Sequence, residues 1–404
     1  MTYIYSILVF LCVFILIMYI YIRLRYGFWY YQPVFHVYDL YSYIFPCGII
    51  MHDLPKKNRY TNFQEITTLH FDTIRGTRKM TEFANLIQFH FLRNKENRFT
   101  PKKRNLIPYF LGYSRNHPCF ISFYYEDELL HDIKNNTMIP HKKLIGAMTT
   151  RPLHVFIKNK NAQFYVYYVD YLCVDKSYRK KGIAPQLIQT HEYNQRHGND
   201  KISVSLFKRE GQLTGIVPLC VYMNYGFPLD HWLYPEPLVP RYNLIECTKQ
   251  NIRFLMDFMK QERDQFDICI TAELASVISL INSYNLHIYF LLDTENSDIL
   301  AAYYFKKTCV SIQHGKDCVC CFASIQGKGT KDALFIEGFG HAIASLRKYK
   351  YKYSFLSIES ISHNIKIINH YGKANATIVS PVAYFFYNFA YHTFHPRKVF
   401  VLGS

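Results

Sequence analysis

From Val169 to Ile188 the chain runs VDYLCVDKSYRKKGIAPQLI: an apolar, aromatic stretch, three adjacent cations, a glycine, and then a helix-forming stretch. This order leaves little freedom, because a β-strand must end in a tight loop and hand over to a helix at once. Gly182 lets the backbone turn sharply and approach a ligand closely, and the first N–H groups of the following helix point at whatever sits before it. With Arg179, Lys180 and Lys181 alongside, such a helix start is an anion site suited to a pyrophosphate. The bare string R-x-x-G-x-A also suits a solvated basic loop or a patch on phospholipid or nucleic acid. The strand before it and the apolar helix after it favour an anion site at a β-to-α turn.

The surroundings read as a sheet. LIGAMTTRPLHVFI at 144–157 and FYVYYVDYLCV at 164–174, joined by a polar turn at 159–163, predict a hairpin that feeds the basic loop. Upstream, the spacing predicts a helix over 80–91 within a polar, basic stretch. Four prolines in GFPLDHWLYPEPLVPRY at 226–242 break any continuous element, which puts a boundary near 245. Beyond it a helix is expected at 251–262, strands at 287–293, 299–305 and 317–325, a helix at 331–347, and strands at 353–359 and 383–390. No sequence repeat relates the halves, which leaves room for a structural one.

The first 22 residues carry no charged side chain and then meet Arg23 and Arg25. Roughly 20 apolar residues cross a bilayer as a helix. A basic start, a short apolar core and a small-residue cleavage site are missing, so a retained single-span anchor is expected rather than a cleaved signal peptide. The arginines at its end put the rest of the chain on the cytoplasmic side. Asn135-Asn136-Thr137 and Asn375-Ala376-Thr377 are glycosylation acceptors only for the opposite orientation. The aromatic arm Phe28-Trp29-Tyr30-Tyr31-Gln32-Pro33-Val34 also suits a membrane-interface belt, and Pro33 prevents a regular helix through it.

Half of the 404 residues are hydrophobic, enough for a substantial core and two domains. A formal charge of +17 favours an anionic partner such as a phosphorylated cofactor, a lipid surface or nucleic acid, without choosing among them. Among the 11 cysteines, the cluster Cys318, Cys320 and Cys321 alternates like buried strand residues rather than tetrahedral ligands, so no metal site is expected. Gly327-Lys328-Gly329 and Gly338-Phe339-Gly340-His341-Ala342 complete neither a dinucleotide fingerprint nor a P-loop and read as turn or helix-packing glycines. No G-x-S-x-G elbow supports hydrolase chemistry. His392 and His395 beside the tail read as surface residues, and Lys348-Tyr349-Lys350-Tyr351-Lys352 as a solvated strand edge as much as a nucleic-acid contact.

Strand, R-x-x-G-x-A loop and helix in this order resemble motif A of the GNAT acyltransferase superfamily, whose loop holds the pyrophosphate of acyl-CoA. The whole phrase resembles the N-myristoyltransferase signature, an asparagine-phenylalanine-leucine-cysteine-valine strand followed by a basic loop and an alanine-proline helix start. Leu172, Cys173, Val174, Lys176, Arg179, Lys181, Ala184, Pro185, Leu187 and Ile188 match it, and Asp170 and Tyr171 are near substitutions. Phe28-Trp29 with Gln32-Pro33-Val34 resembles the family's N-terminal arm, and Leu144-Ile145-Gly146 through Pro152 resembles the strand before the signature. Tyr387-Asn388 and Lys398-Val399 resemble its closing strand and tail, so the resemblance spans residues 26–404, densest at these blocks.

The resemblance implies transfer of a long-chain acyl group, usually myristoyl, from CoA to an N-terminal glycine amine. It places the oxyanion donors at the amides of Tyr171 and Leu172, and the terminal base at the carboxylate of Ser404. Leu172, Cys173, Val174, Arg179, Lys180, Lys181, Gly182, Ile183, Ala184 and Pro185 would hold the cofactor, with Phe28 and Trp29 packing over it. Departures fall on the acceptor side. Arg93-Asn94-Lys95-Glu96-Asn97-Arg98 replaces an acidic loop, Ala376 to Pro381 lacks the family's glycine-aspartate-glycine, Lys208-Arg209-Glu210-Gly211 stands where a threonine-alanine-glycine segment is expected, and the tail ends Leu402-Gly403-Ser404.

The expectation is therefore an α/β (α+β) chain: an anchor at 1–25, a GNAT-like acyl-CoA-binding domain at 26–245 and a GNAT-like acceptor-side domain at 246–404, in tandem around mixed sheets. Acyl-CoA enters as co-substrate with no permanently bound cofactor. The expected partners are glycine N-termini and, through residues 1–22, membrane lipid; nucleic acid is not among them, and the chain is expected to be a monomer. Two alternatives stay open: an acyl-CoA-binding membrane scaffold without transferase activity, and a transferase using a shorter acyl chain.

Overall fold

The computed structural model describes residues 2–92, 97–132, 137–211, 215–230, 232, 234–312, 316–348 and 353–403. Among these, fifteen strands join into one mixed sheet. Within it lies the expected hairpin, Thr137–Ile157 against Ala162–Val174, longer at its open end than the sequence suggested. Residues 145–153 of its first strand are buried without alternation, as expected for a strand covered on both faces. Gly146 faces Leu187 of the helix Ile183–Gly198, so tightly that an added Cβ would lie 2.8 Å from Leu187 Cδ1. The next residue, Ala147, packs with Phe83 and Ile87 of the helix Arg78–His90 on the other face.

The chain builds the same unit twice. In the first half the hairpin is followed by the helix Ile183–Gly198 and by Val204–Glu210, which pairs parallel to the second hairpin strand from Val166↔Val204 to Val169↔Phe207. In the second half the hairpin Asp298–Ile312/Lys316–Gln326 is followed by the helix Asp332–Lys348 and by Phe355–Glu359, parallel from Cys318↔Phe355 to Cys321↔Ile358. Each hairpin has a register slip that skips one residue of its second strand, Asp170 in the first and Phe322 in the second, each four residues before its strand ends; the second hairpin slips again between Lys307 and Ser311. Such bulges bend a strand and re-aim its side chains.

The halves are laced together rather than laid side by side. Ile378–Tyr387, late in the chain, sits between Val204–Glu210 and Cys220–Pro228, while Cys220–Pro228 borders Phe355–Glu359. Ile268–Thr271 pairs with the first hairpin at Ile268↔Ile157, and the last strand, Val399–Leu402, pairs parallel to it. The end of the chain therefore lies in the first half's sheet. Position 245 falls inside the strand Tyr242–Glu246, which pairs with Leu286–Asp293 on the far edge.

The helix Thr2–Tyr26 is exposed from Tyr3 to Tyr21, and an 18-residue window within it has a mean hydropathy of 2.7. It is long and apolar enough to cross a bilayer. The arm after it forms a single 3-10 turn, Trp29–Tyr31, before Pro33. Cys318, Cys320 and Cys321 are buried strand residues, as their spacing suggested. Asn135-Asn136 and the run 349–352 lie outside the described residues.

Candidate active site

The bulge at Asp170 opens a cavity of about 1080 Å³. One wall is the end of the signature strand, Asp170 to Val174, continuing through Tyr178, Arg179 and Lys180 to Gly182, Ile183, Ala184 and Pro185. The opposite wall comes from the second half: Lys306 to Val310, Cys318, Cys320, Ser357 and Glu359. Nine of the residues expected to bind the acyl donor thus meet in one space.

The basic loop is built by local bonds. The Asp175 side chain accepts from the Ser177 N–H at 2.9 Å, and the Lys176 N–H donates to His90 Nδ1 at 3.1 Å. Arg179 donates to the carbonyl of His90 at 2.5 Å and to that of Val174 at 3.3 Å, which pins it across the strand end. Lys180 and Gly182 both take left-handed backbone, φ +66° and +79°, and Gly182 caps the helix directly. An αL residue ahead of a helix start turns successive N–H groups toward one point, the geometry of an anion nest. Lys181 does not line the cavity; its Nζ lies over the Tyr178 ring at 4.7 Å. Phe28 and Trp29 also lie outside the lining: Trp29 stacks on Phe207 at 5.9 Å and Phe28 meets Tyr60 edge-on at 5.0 Å.

At the bulge, the Tyr171 N–H donates to Thr149 Oγ1 at 3.2 Å, and Leu172 pairs with Met148. Cys173 is no nucleophile: burial pushes its thiol up to about 12, and its Sγ points at the Leu86 carbonyl.

Two buried charge clusters at the inner end went unmarked in the sequence. Arg151, fully buried, binds Asp170 with both arms, Nε to Oδ2 at 2.7 Å and a terminal nitrogen to Oδ1 at 3.0 Å. It also donates to Tyr113 Oη at 3.2 Å and to the carbonyl of Gly403. Burial works against its charge, but Asp170 and Tyr113 hold the guanidinium well above its ordinary value. An arginine within an apolar central strand, facing an acid on the other arm of the same hairpin, was the available signal. The second cluster is Glu359, which accepts from Lys208 at 2.6 Å and Tyr222 at 2.7 Å, with Lys306 at 3.7 Å. Burial raises its pKa, yet the two lysines overcome that and pull it down to about 2. Lys306 is pushed down by burial and by Lys208.

Ser404 lies outside the described residues, as do Arg93 to Glu96. The chain leading to Ser404 is well fixed. Leu402 accepts from the Ala272 N–H at 2.9 Å, and Gly403 is buried at φ +119°. His392 and His395 are exposed, as expected.

Residues 55–220 match the family model for the N-terminal domain of myristoyl-CoA:protein N-myristoyltransferase. This segment belongs to the N-myristoyltransferase family. The match indicates an acyltransferase. No curated protein matches the sequence significantly. Among solved structures, Saccharomyces cerevisiae N-myristoyltransferase with bound myristoyl-CoA superposes with a TM-score of 0.68 at 14% identity, covering 92% of this chain and 90% of that one. A second structure of the same yeast protein with bound myristoyl-CoA gives 0.62 at 13%, covering 91% and 93%. A tandem GNAT protein from the clavulanic acid biosynthesis pathway gives 0.53 at 7%, covering 82% and 100%. At these identities the likeness is one of fold, and it agrees with the doubled unit: a tandem GNAT architecture preceded by one apolar helix.

Proposed function

We propose that this N-myristoyltransferase-type chain moves a myristoyl group from myristoyl-CoA to the N-terminal glycine amine of a protein. The observation that carries the reading is the meeting of the basic loop and the bulged strand on one cavity, with the buried chain end tied to that strand behind it through Arg151 and Asp170. In this reading Arg179, Lys180, Lys181 and the N–H groups after Gly182 bind the pyrophosphate, and Ile183, Ala184 and Pro185 seat the cofactor against the helix start. Phe28 and Trp29 close over it from the arm. The amides of Tyr171 and Leu172 polarise the thioester carbonyl. The carboxylate of Ser404 takes the proton from the incoming amine, which attacks the carbonyl carbon as the C–S bond breaks and CoA leaves as a thiol.

The acyl-CoA side corresponds to 26–245 and the acceptor side to 246–404, with strands exchanged between them. The span at 1–25 holds the enzyme on a membrane with its body toward the cytoplasm, where a singly acylated product, weakly membrane-bound by itself, would find lipid at once. The Thr149 hydroxyl on the Tyr171 N–H favours a second reading, acyl-CoA binding without transfer, because a thioester carbonyl must displace or share that bond.

Full-length protein in detergent, given myristoyl-CoA and glycine-starting peptides, separates the two. The proposal expects CoA release in step with a peptide mass gain of one myristoyl, abolished when residues are appended after Ser404. Tight acyl-CoA binding with no acylated peptide would assign the chain to the scaffold reading, and loss of binding in Arg179→Glu with Gly182→Asp would still locate the pyrophosphate.

A further inference from the structure

We propose that the segment around Leu40–Phe45 is a second membrane contact, which lays the folded body against the leaflet where the N-terminal helix emerges. The inference rests on the reading of Thr2–Tyr26 as a bilayer span. Leu40, Tyr41, Ile44 and Phe45 expose 74%, 70%, 70% and 61% of their surface, a density of large apolar side chains unusual on a soluble face.

The patch is fixed in place. The Asp39 carboxylate caps the short helix Leu40–Ile44, accepting from the Ser42 hydroxyl at 2.6 Å and the Ser42 N–H at 3.2 Å. Behind it, Tyr43 packs on buried Phe35 at 4.9 Å, and the Val37 N–H donates to the Gly215 carbonyl at 3.1 Å. The body therefore holds the inner face and leaves the apolar face outward.

Position and charge identify the occupant. Tyr38, two residues before Leu40, meets Tyr26 at the end of the span with ring centroids 5.6 Å apart. A patch this near the exit of a transmembrane helix stands at the leaflet surface. Cations gather at the same end of the span: Arg23 donates to Tyr31 Oη at 2.9 Å, Arg59 lies over the same ring at 4.8 Å, and both arginines are exposed. Apolar side chains outward, tyrosines at the margin and arginines alongside are what an interface with anionic lipid requires.

Cys47, exposed and two residues beyond Phe45, provides the probe. Full-length protein carrying Cys12→Ser is reconstituted into phosphatidylcholine vesicles with 30 mol% phosphatidylserine, roughly the charge density of a cytoplasmic leaflet. An environment-sensitive fluorophore is placed on Cys47 or, as a control, on Lys328→Cys with Cys47→Ser. Shallow spin-labelled lipid should quench the Cys47 probe at least fivefold more than the control. Replacing Leu40, Tyr41, Ile44 and Phe45 by serine should abolish the difference while the protein resists carbonate extraction. Equal, weak quenching at both sites in carbonate-resistant protein overturns the second contact and leaves the span standing. Release by carbonate overturns both. Protection of Cys47 that follows protein-to-lipid ratio and yields Cys47 crosslinks assigns the patch to a second copy and overturns the proposal.

Discussion

Arg151→Met removes one partner of a fully buried, bidentate ion pair. Asp170 is then left without its guanidinium, with only 9% of its side chain in reach of solvent. Breaking such a pair from one side costs roughly 3–5 kcal/mol. Replacing both partners, Arg151→Met with Asp170→Asn, removes the stranded charge and should return stability to within about 1.5 kcal/mol of the parent. Activity should not follow. Arg151 also holds the Gly403 carbonyl, one residue before the proposed terminal base, and a displacement of about 1 Å at a reacting group costs about a hundredfold in rate. The expectation is therefore a kcat about a hundredfold lower in both variants, with KM for myristoyl-CoA unchanged because the basic loop is untouched. Urea unfolding and single-turnover acylation read the two effects separately. Recovery of kcat together with stability in the double variant would reduce Arg151 to a structural role. Parent-like stability in Arg151→Met would refute the argument from the ion pair.

Glu359→Gln should cost roughly 3–5 kcal/mol in urea unfolding, because Lys208 and Lys306 lose the carboxylate between them. Its folded pKa of about 2 lies below the ordinary 4.5, so its contribution is present above pH 4.5 and fades as pH falls toward 2; the variant should lose that limb of the stability curve. His191 titrates in the same direction for the opposite reason. Burial among Ser122 and Thr150 holds it near 4 against an ordinary 6.5, so stability should fall by about 3 kcal/mol as pH drops from 6.5 to 4, a slope that His191→Gln removes in urea midpoints. Gly403→Ala places a Cβ 3.0 Å from Ala272 Cβ on backbone at φ +119°; it should lower kcat by about tenfold or more while acyl-CoA affinity, read by calorimetry, stays within about twofold.

The parts of the fold legible in the sequence were those with strong local pattern. The hairpin, the basic loop, the helix Ile183–Gly198 and the second-half strands carry aromatic, β-branched or period-3.6 signals, and they lie where expected. Strands such as Cys220–Pro228 and Ile268–Thr271 escaped, because their pairing is decided by partners more than a hundred residues away. The lacing of the halves has no local trace either, since Ile378–Tyr387 looks like any apolar strand until Val204–Glu210 and Cys220–Pro228 take it between them. At the site the same division holds. Arg179 and Gly182 are marked by neighbours in sequence, whereas Arg151 acquires meaning when its hairpin pairs it with Asp170, and Glu359 and Lys306 only when the two halves close on one cavity.

In the proposed function, the doubled unit explains why one half faces the anion and the other faces inward. In the second half the turn Gly327-Lys328-Gly329 leads into the helix Asp332–Lys348 as the basic loop leads into Ile183–Gly198, and Gly329 repeats the left-handed φ of Gly182 at +85°. Carboxylates of the chain occupy that start. The Lys328 N–H donates to Glu262 at 3.2 Å, and Asp332 in the first turn binds Lys366 at 2.8 Å and Gln326 at 2.9 Å. An internal anion at a helix N-terminus satisfies the donors that an external phosphate would need. The first half has no acid in its first helical turn and keeps Arg179, Lys180 and Lys181 before it. The second half, relieved of anion binding, contributes Lys306 and Glu359 to the far wall of the same cavity. Duplication thus yields one donor site with a charged wall opposite, and it is on that wall that the acceptor's side-chain preference should be sought.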